Sequence, residues 1–228
     1  RYRLVMPAAG SGQRFGQELP KQYMPLAGRT VIECSLAPFV ADPRCTAIVV
    51  AIAAADGHFA SLRVANEARV STVAGGAQRA DSVLAALESM QAPDDEWVLV
   101  HDAARPCVSQ AEIDALLEAA GVGEDGALLA VPLADTLKRE AAGRVCETPS
   151  RDSLWRALTP QMFRLGDLRA ALRAARAAGR SATDEAQALE WQGRQPRLVA
   201  GSALNLKITT AADLQLAAAI LSQRGERR

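Results

Sequence analysis

Histidine is nearly missing from this chain: His58 and His101 are the only two in 228 residues, which excludes a multi-histidine metal centre. Cysteine is scarce as well. Cys34, Cys45, Cys107 and Cys146 stand far apart, with no CxxC pair and no histidine cluster beside them. They read as reduced thiols of a cytosolic protein, not as a disulfide frame or a zinc site. Three Trp, two Tyr and four Phe are too few for a stacking platform that binds single-stranded nucleic acid. Net charge is absent too. The 26 basic and 26 acidic residues cancel at a sequence pI near 6.9, whereas a general nucleic-acid binder carries a marked basic excess. No apolar run is long: Ala47–Ala55 spans nine residues, and a helix that crosses a bilayer needs about 20. The opening Arg1–Met6 meets Pro7 and Gly10 at once and does not read as a signal peptide.

What remains is globular, with 49% apolar and 23% charged residues. The length suits one large domain, which buries roughly 70–75% of its unfolded surface and needs no staples. Short apolar runs alternate with helix-period segments, the mark of βα units feeding a largely parallel sheet. Strands are expected near Leu4–Pro7, Ala47–Ala53, Ser71–Val73, Trp97–His101, Ala127–Val131 and Arg197–Ala200. Helices are expected at Val31–Val40, Arg79–Met90, Gln110–Ala120, Leu165–Ala178, Asp184–Trp191 and Ala211–Gln223. Thr30 with Glu33, Ser109 with Glu112 and Thr210 with Asp213 have capping-box spacing. In the last helix Leu214, Ala217, Ile220 and Leu221 share one side, a stripe for core packing. One stretch breaks the alternation. Residues 135–159 are polar and turn-rich, and suit a projecting hairpin with arms Thr136–Glu140 and Arg144–Thr148 about a turn at Ala141–Gly143.

Three segments carry chemistry. Pro7-Ala8-Ala9-Gly10-Ser11-Gly12-Gln13-Arg14-Phe15-Gly16 follows the first strand, and glycines there let backbone amides approach an anion. It is not a dinucleotide fingerprint, because the third glycine comes one position late and no ribose-binding carboxylate follows. It is not a Walker A loop either, lacking GK[ST]. Arg14 within it and Lys21 just beyond strengthen the anion reading, since only Lys21, Lys138 and Lys207 are lysines in an arginine-rich chain. The second segment is Trp97–Pro106, an apolar strand running into His101-Asp102-Ala103-Ala104-Arg105. Ligands gather beyond the carboxyl ends of such strands, so Asp102 faces the edge where the glycine loop lies, fit to accept from sugar hydroxyls or to join a magnesium shell. His101 has no serine or cysteine motif beside it and reads as structural. The third is Gly75-Gly76-Ala77-Gln78-Arg79-Ala80-Asp81-Ser82, a helix start whose amides and Ser82 suit a base or phosphate. Arg151 in the hairpin and Asn205–Thr209 before the last helix suit a second anion, or are surface residues with no task.

The ordered set PAAGSGQRFG, PKQY, GGAQRADSV, VLVHDAARP, SRDSLWRALTPQ, TDEAQALE and NLKITT resembles the 2-C-methyl-D-erythritol 4-phosphate cytidylyltransferase family over essentially the whole chain. The resemblance implies an α/β fold: a Rossmann-like, mostly parallel twisted sheet with helices on both faces and a protruding β-arm, 135–159, that completes a homodimer. It implies that Pro7–Arg14, with Pro7, Ala8, Ala9, Gly10 and Gly12, wraps CTP, with Ala8, Ala9, Gly76 and Ser82 near the cytosine and Ala103 by the ribose. Arg14 and Lys21 become the catalytic pair at the α-phosphate. Asp102, Arg105, Thr159 and Lys207 become the walls of a sugar-alcohol phosphate pocket, with Thr136 and Arg151 reaching in from the partner's arm. Magnesium is expected on the CTP phosphates, with no protein ligands assigned. Ala77 stands where some relatives carry an acidic residue, so no side-chain contact to the base is expected there, and Leu204 is often polar in relatives. The rival readings are a ribitol 5-phosphate cytidylyltransferase, a nicotinamide-dependent oxidoreductase and a silent nucleotide sensor. Neither a nucleic-acid nor a membrane partner is expected.

Overall fold

The computed structural model of the chain describes residues 1–10 and 19–225. Its elements run β1 (Tyr2–Pro7), β2 (Pro25–Leu26), β3 (Arg29–Thr30), α1 (Val31–Ala41), β4 (Cys45–Ile52), β5 (Val70–Ala74), α2 (Arg79–Ser89) and β6 (Trp97–Val100). Then follow α3 (Gln110–Val122), β7 (Ala127–Pro132), β8 (Arg139–Ala141), β9 (Arg144–Glu147), β10 (Trp155–Arg164), α4 (Leu165–Ala177), α5 (Glu185–Glu190), β11 (Arg197–Ala200) and α6 (Ala211–Gly225).

Seven strands form one sheet in the order β11-β7-β10-β6-β1-β4-β5. The pairs β1–β4, β1–β6, β4–β5 and β7–β11 are parallel, while β10 runs antiparallel to both β6 and β7. Strand periodicity sorts the core into two layers. Leu4 and Met6 of β1, Ile48 and Val50 of β4, and Leu99 of β6 join α1 and α3 through Ile32, Leu36, Phe39, Ile113 and Leu116. The alternate residues Val5, Val49, Ala51, Val98 and Val100 face α2, α4 and α5 through Val83, Leu87, Leu168, Leu172 and Leu189. Because both faces are covered, the central strands read as unbroken apolar runs, as expected of buried parallel strands. A smaller cluster seats α6, with Ala217 and Ile220 buried and Leu214 and Leu221 packed against it, so the expected stripe is core packing.

The three expected capping boxes all form: Thr30 with Glu33, Ser109 with Glu112, and Thr210 with Asp213. In each, the hydroxyl accepts a first-turn amide and the carboxylate accepts back, which sets where the helix begins.

The arm differs from expectation in its extent. Its strands are shorter, β8 and β9, joined by a two-residue turn with Ala142 at φ 50° and Gly143 at φ 76°. Two left-handed residues give the twist that a tight hairpin requires, and glycine takes one of them without strain. The second flank does not stay in the arm to residue 159, because Trp155 already pairs with Pro132 and the chain re-enters the sheet there as β10. β10 was not expected as a strand. Its first three residues are exposed, and the register shifts between Ala157 and Gln161, so it shows no clean alternation.

Candidate active site

β1, β4, β5 and β6 are parallel, so their carboxyl ends meet along one edge of the sheet. The turn after β1 is fixed on both sides. Ala8 N–H donates to the Ala51 carbonyl at 2.7 Å, and the buried Gln22 amide donates to the carbonyls of Ala8 (2.8 Å) and Gly10 (3.1 Å). Gln22 belongs to the short helical turn Lys21–Tyr23, whose Tyr23 hydroxyl donates to Asp56 at 2.7 Å. Lys21 therefore stands on a braced turn, and its Nζ donates to the Ile208 carbonyl at 3.1 Å. Gly75 and Gly76 are set by close approach. A Cβ on Gly75 would lie 2.5 Å from Ala9 Cβ, and one on Gly76 would lie 2.2 Å from Asp81 Cβ. The Ser82 hydroxyl accepts Gly76 N–H and donates to the Gln78 carbonyl, so it organises this loop.

A cavity of about 490 Å³ opens between these turns, inside the range of small-molecule sites. Of the expected site residues, Pro7, Ala8, Ala9, Gly10, Lys21, Gly76, Ser82, Asp102, Ala103 and Lys207 line it. A Cβ on Gly10 would meet nothing within 4 Å, so its missing side chain leaves room. Gly12 and Arg14 lie outside the described residues. Thr159 and Arg105 do not line the cavity but stand behind Asp102. Thr136 and Arg151 are exposed on the arm and line no part of it; the Arg151 guanidinium donates to the Ala134 carbonyl instead.

Charge is concentrated around Asp102. Its carboxylate meets Arg79 Nε at 2.9 Å and Lys207 Nζ at 2.8 Å, with Arg105 Nε at 3.7 Å. Burial alone would raise its pKa. Arg79, Lys207 and Arg105 outweigh that and hold the carboxyl well below the usual range, so Asp102 is an anion at every working pH. Among the described lining residues Lys21, Arg79 and Lys207 are cations and Asp102 is the one carboxylate, which gives the wall an excess of positive charge. Arg79 and Glu185 were missed by sequence reasoning as site residues. Each sits inside a quoted motif, GGAQRADSV or TDEAQALE, but their pairing spans 106 positions and leaves no local signal.

His101 is structural, as expected, and its tautomer follows from its partners. Nε2 lies 3.0 Å from the Arg105 carbonyl, which can only accept, so Nε2 carries the proton. Nδ1 then accepts from the Thr159 hydroxyl, whose oxygen in turn accepts Asp102 N–H, both at 3.0 Å. Asn205 completes the brace, its side-chain amide donating to the Thr159 carbonyl at 2.9 Å while its backbone carbonyl accepts from Arg105 Nη1 at 2.8 Å.

Burial pushes the His101 pKa from 6.5 down to about 4. Below pH 6.5 the unfolded chain takes up a proton that the folded chain refuses until about pH 4. This contribution to stability is therefore complete above 6.5 and lost as pH falls through that window, about 3 kcal/mol in all. Urea midpoints should fall between pH 7 and pH 4, and His101→Gln should flatten the fall. An equal slope in the variant would remove His101 as its source.

Among the described residues no cysteine lines the cavity. Cys34, Cys45 and Cys107 are buried, and burial raises their pKa values to about 11, 12 and 11, which leaves thiols and not thiolates. Among the described residues, no group of three or more His, Cys, Asp or Glu is placed to hold a metal ion, and no helix is long and apolar enough to cross a membrane.

The chain matches the profile of 2-C-methyl-D-erythritol 4-phosphate cytidylyltransferase over residues 2–223. A protein of that name from Halorhodospira halophila is 52% identical, covering 97% of this chain and 94% of the relative. Another from Tolumonas auensis is 48% identical, covering 98% and 97%. The crystal structure of the Francisella tularensis protein of the same name superposes with a TM-score of 0.83 at 36% identity, covering 96% of this chain and 99% of that one. With the mixed sheet, the positive cavity and likeness along the full length in agreement, this chain belongs to the 2-C-methyl-D-erythritol 4-phosphate cytidylyltransferase family.

Proposed function

We propose that the cavity holds CTP and that the chain transfers its cytidylyl group to 2-C-methyl-D-erythritol 4-phosphate. The observation that carries this reading is a cationic cavity built on one ionised carboxylate, with neither histidine nor cysteine on its described wall. An oxygen of the phosphate monoester attacks the α-phosphorus of CTP, the bond from that phosphorus to the bridging oxygen breaks, and pyrophosphate leaves. The monoester needs no general base, since its second pKa is about 6. Both reactants are polyanions, so the main barrier a protein must lower is their mutual repulsion.

In this reading Ala8, Ala9, Gly76 and Ser82 shape the cytosine end and Ala103 the ribose end. Arg14 and Lys21 hold charge at the α-phosphate. Asp102 accepts from the polyol hydroxyls while Lys207 faces its phosphate, with Arg105 and Thr159 holding Asp102 from behind. Asp102 is already surrounded by cations, which makes it a poor cage for a divalent ion. Magnesium would accordingly be held through triphosphate oxygens, where it supplies charge neutralisation.

The exposed arm, with Thr136 and Arg151 outside this chain's own cavity, supports a homodimer in which the partner's arm closes the polyol end. Exposed Val145, Leu154 and Trp155 supply apolar surface for that contact. Three buried thiols support a cytosolic setting. Pyrophosphate release with CTP and magnesium, assayed in parallel with methylerythritol 4-phosphate and ribitol 5-phosphate, tests the reading; release with the first and not the second is expected. Arg151→Ala should raise KM for the polyol phosphate and leave KM for CTP nearly unchanged. A rise confined to CTP would overturn the role given to the arm.

A further inference from the structure

We propose that Glu185 is a positioning residue for the polyol subsite, acting through Arg79 on the Asp102 carboxylate. This rests on the assignment of Asp102 to the polyol phosphate. Arg79 opens α2, directly after the loop given to the cytosine, and its guanidinium forks in two directions. Nε donates to Asp102 Oδ1 at 2.9 Å, while Nη1 and Nη2 reach Glu185 Oε1 at 2.6 Å and Oε2 at 3.1 Å. That leaves a planar group held at its two terminal nitrogens by Glu185 and presenting its Nε–H to Asp102. Only arginine has the donor geometry to serve both carboxylates at once.

Glu185 has a built seat. It is 1% exposed and lies in the first turn of α5. The amide of Gln161, buried in β10, donates to Asp184 at 2.9 Å and accepts Ala186 N–H at 3.0 Å, so both chain neighbours of Glu185 are pinned. A buried carboxylate carries a desolvation cost that an apolar side chain of similar volume avoids, so packing alone does not account for it. What the acid does here is fix the rotation of the guanidinium. Arg79 also lines the cavity, where a triphosphate would attract it. The clamp keeps it on Asp102, and so keeps the Asp102 carboxylate turned towards Lys207 and the polyol end.

Steady-state kinetics of Glu185→Gln separates this from simple electrostatics. Removing a negative charge beside an anion site should, by charge alone, tighten both substrates. Positioning predicts the opposite for one of them: KM for the polyol phosphate rising about tenfold or more, with KM for CTP unchanged. Arg79→Lys, which keeps the charge and loses the fork, should show the same polyol defect. It stands in for the first variant if Glu185→Gln fails to fold, as judged by thermal unfolding and CTP binding. A fall in both KM values, or an unchanged polyol KM in either folded variant, overturns the proposal. Absence of turnover in the wild-type chain would instead overturn the function proposed above.

Discussion

Lys21→Ala is expected to lower kcat by roughly 10²-fold or more, the scale of removing one donor aimed at transition-state charge, with the fold unchanged. The geometry supports a local effect. Lys21 sits on a short helical turn whose stability comes from its neighbours: Gln22 ties the β1 turn, and Tyr23 is buried and bonded to Asp56. Truncating Lys21 disturbs neither. Its ammonium stands at the cavity wall, where it donates to the Ile208 carbonyl. Stopped-flow or steady-state pyrophosphate release, paired with a melting curve, reads both halves. Wild-type kcat in a folded variant would remove Lys21 from the chemistry.

Asp102→Asn carries the second large effect, and it falls on stability as well as on activity. The carboxylate is almost wholly buried and meets three cations. Neutralising it leaves Arg79 with Glu185 alone and leaves Lys207 and Arg105 facing each other without their shared counter-charge. Breaking a buried ion pair by removing one partner costs about 3–5 kcal/mol. In a chain of this length that lowers Tm by roughly 10 °C. Lys207→Met in the same background should recover part of the loss, because it removes one of the stranded charges. Binding of the polyol phosphate should be lost in both variants. A Tm within a degree or two of wild type for Asp102→Asn would mean that the three cations do not depend on Asp102.

The sequence displays parts of this arrangement unevenly, for physical reasons. Elements whose residues interact with near neighbours are legible. The apolar runs of β1, β4 and β6 and the capping boxes at Thr30, Ser109 and Thr210 are fixed by spacing alone, and each expected helix forms within a few residues. Side chains that line the edge beyond β1 and β6 follow from strand direction. β10 is hidden because it enters the sheet from a polar arm, runs against its neighbours and shifts register near Thr159. The clamp from Glu185 through Arg79 to Asp102 is hidden more deeply, since it joins α5, α2 and the end of β6 and obeys no period. Gln22 was visible only as part of PKQY, while its bonds to Ala8 and Gly10 depend on how two turns meet.

The point where the arm leaves and returns has one more consequence. Pro132 and Trp155 are ladder partners, and Leu133 N–H donates to the Leu154 carbonyl at 3.0 Å, so both stems are anchored side by side at the rim of the sheet. Lengthening or exchanging what lies between two anchored stems changes little in the closure entropy of the chain. The hairpin is thereby a transplantable cassette, one that can be exchanged without disturbing the strands that carry the cavity.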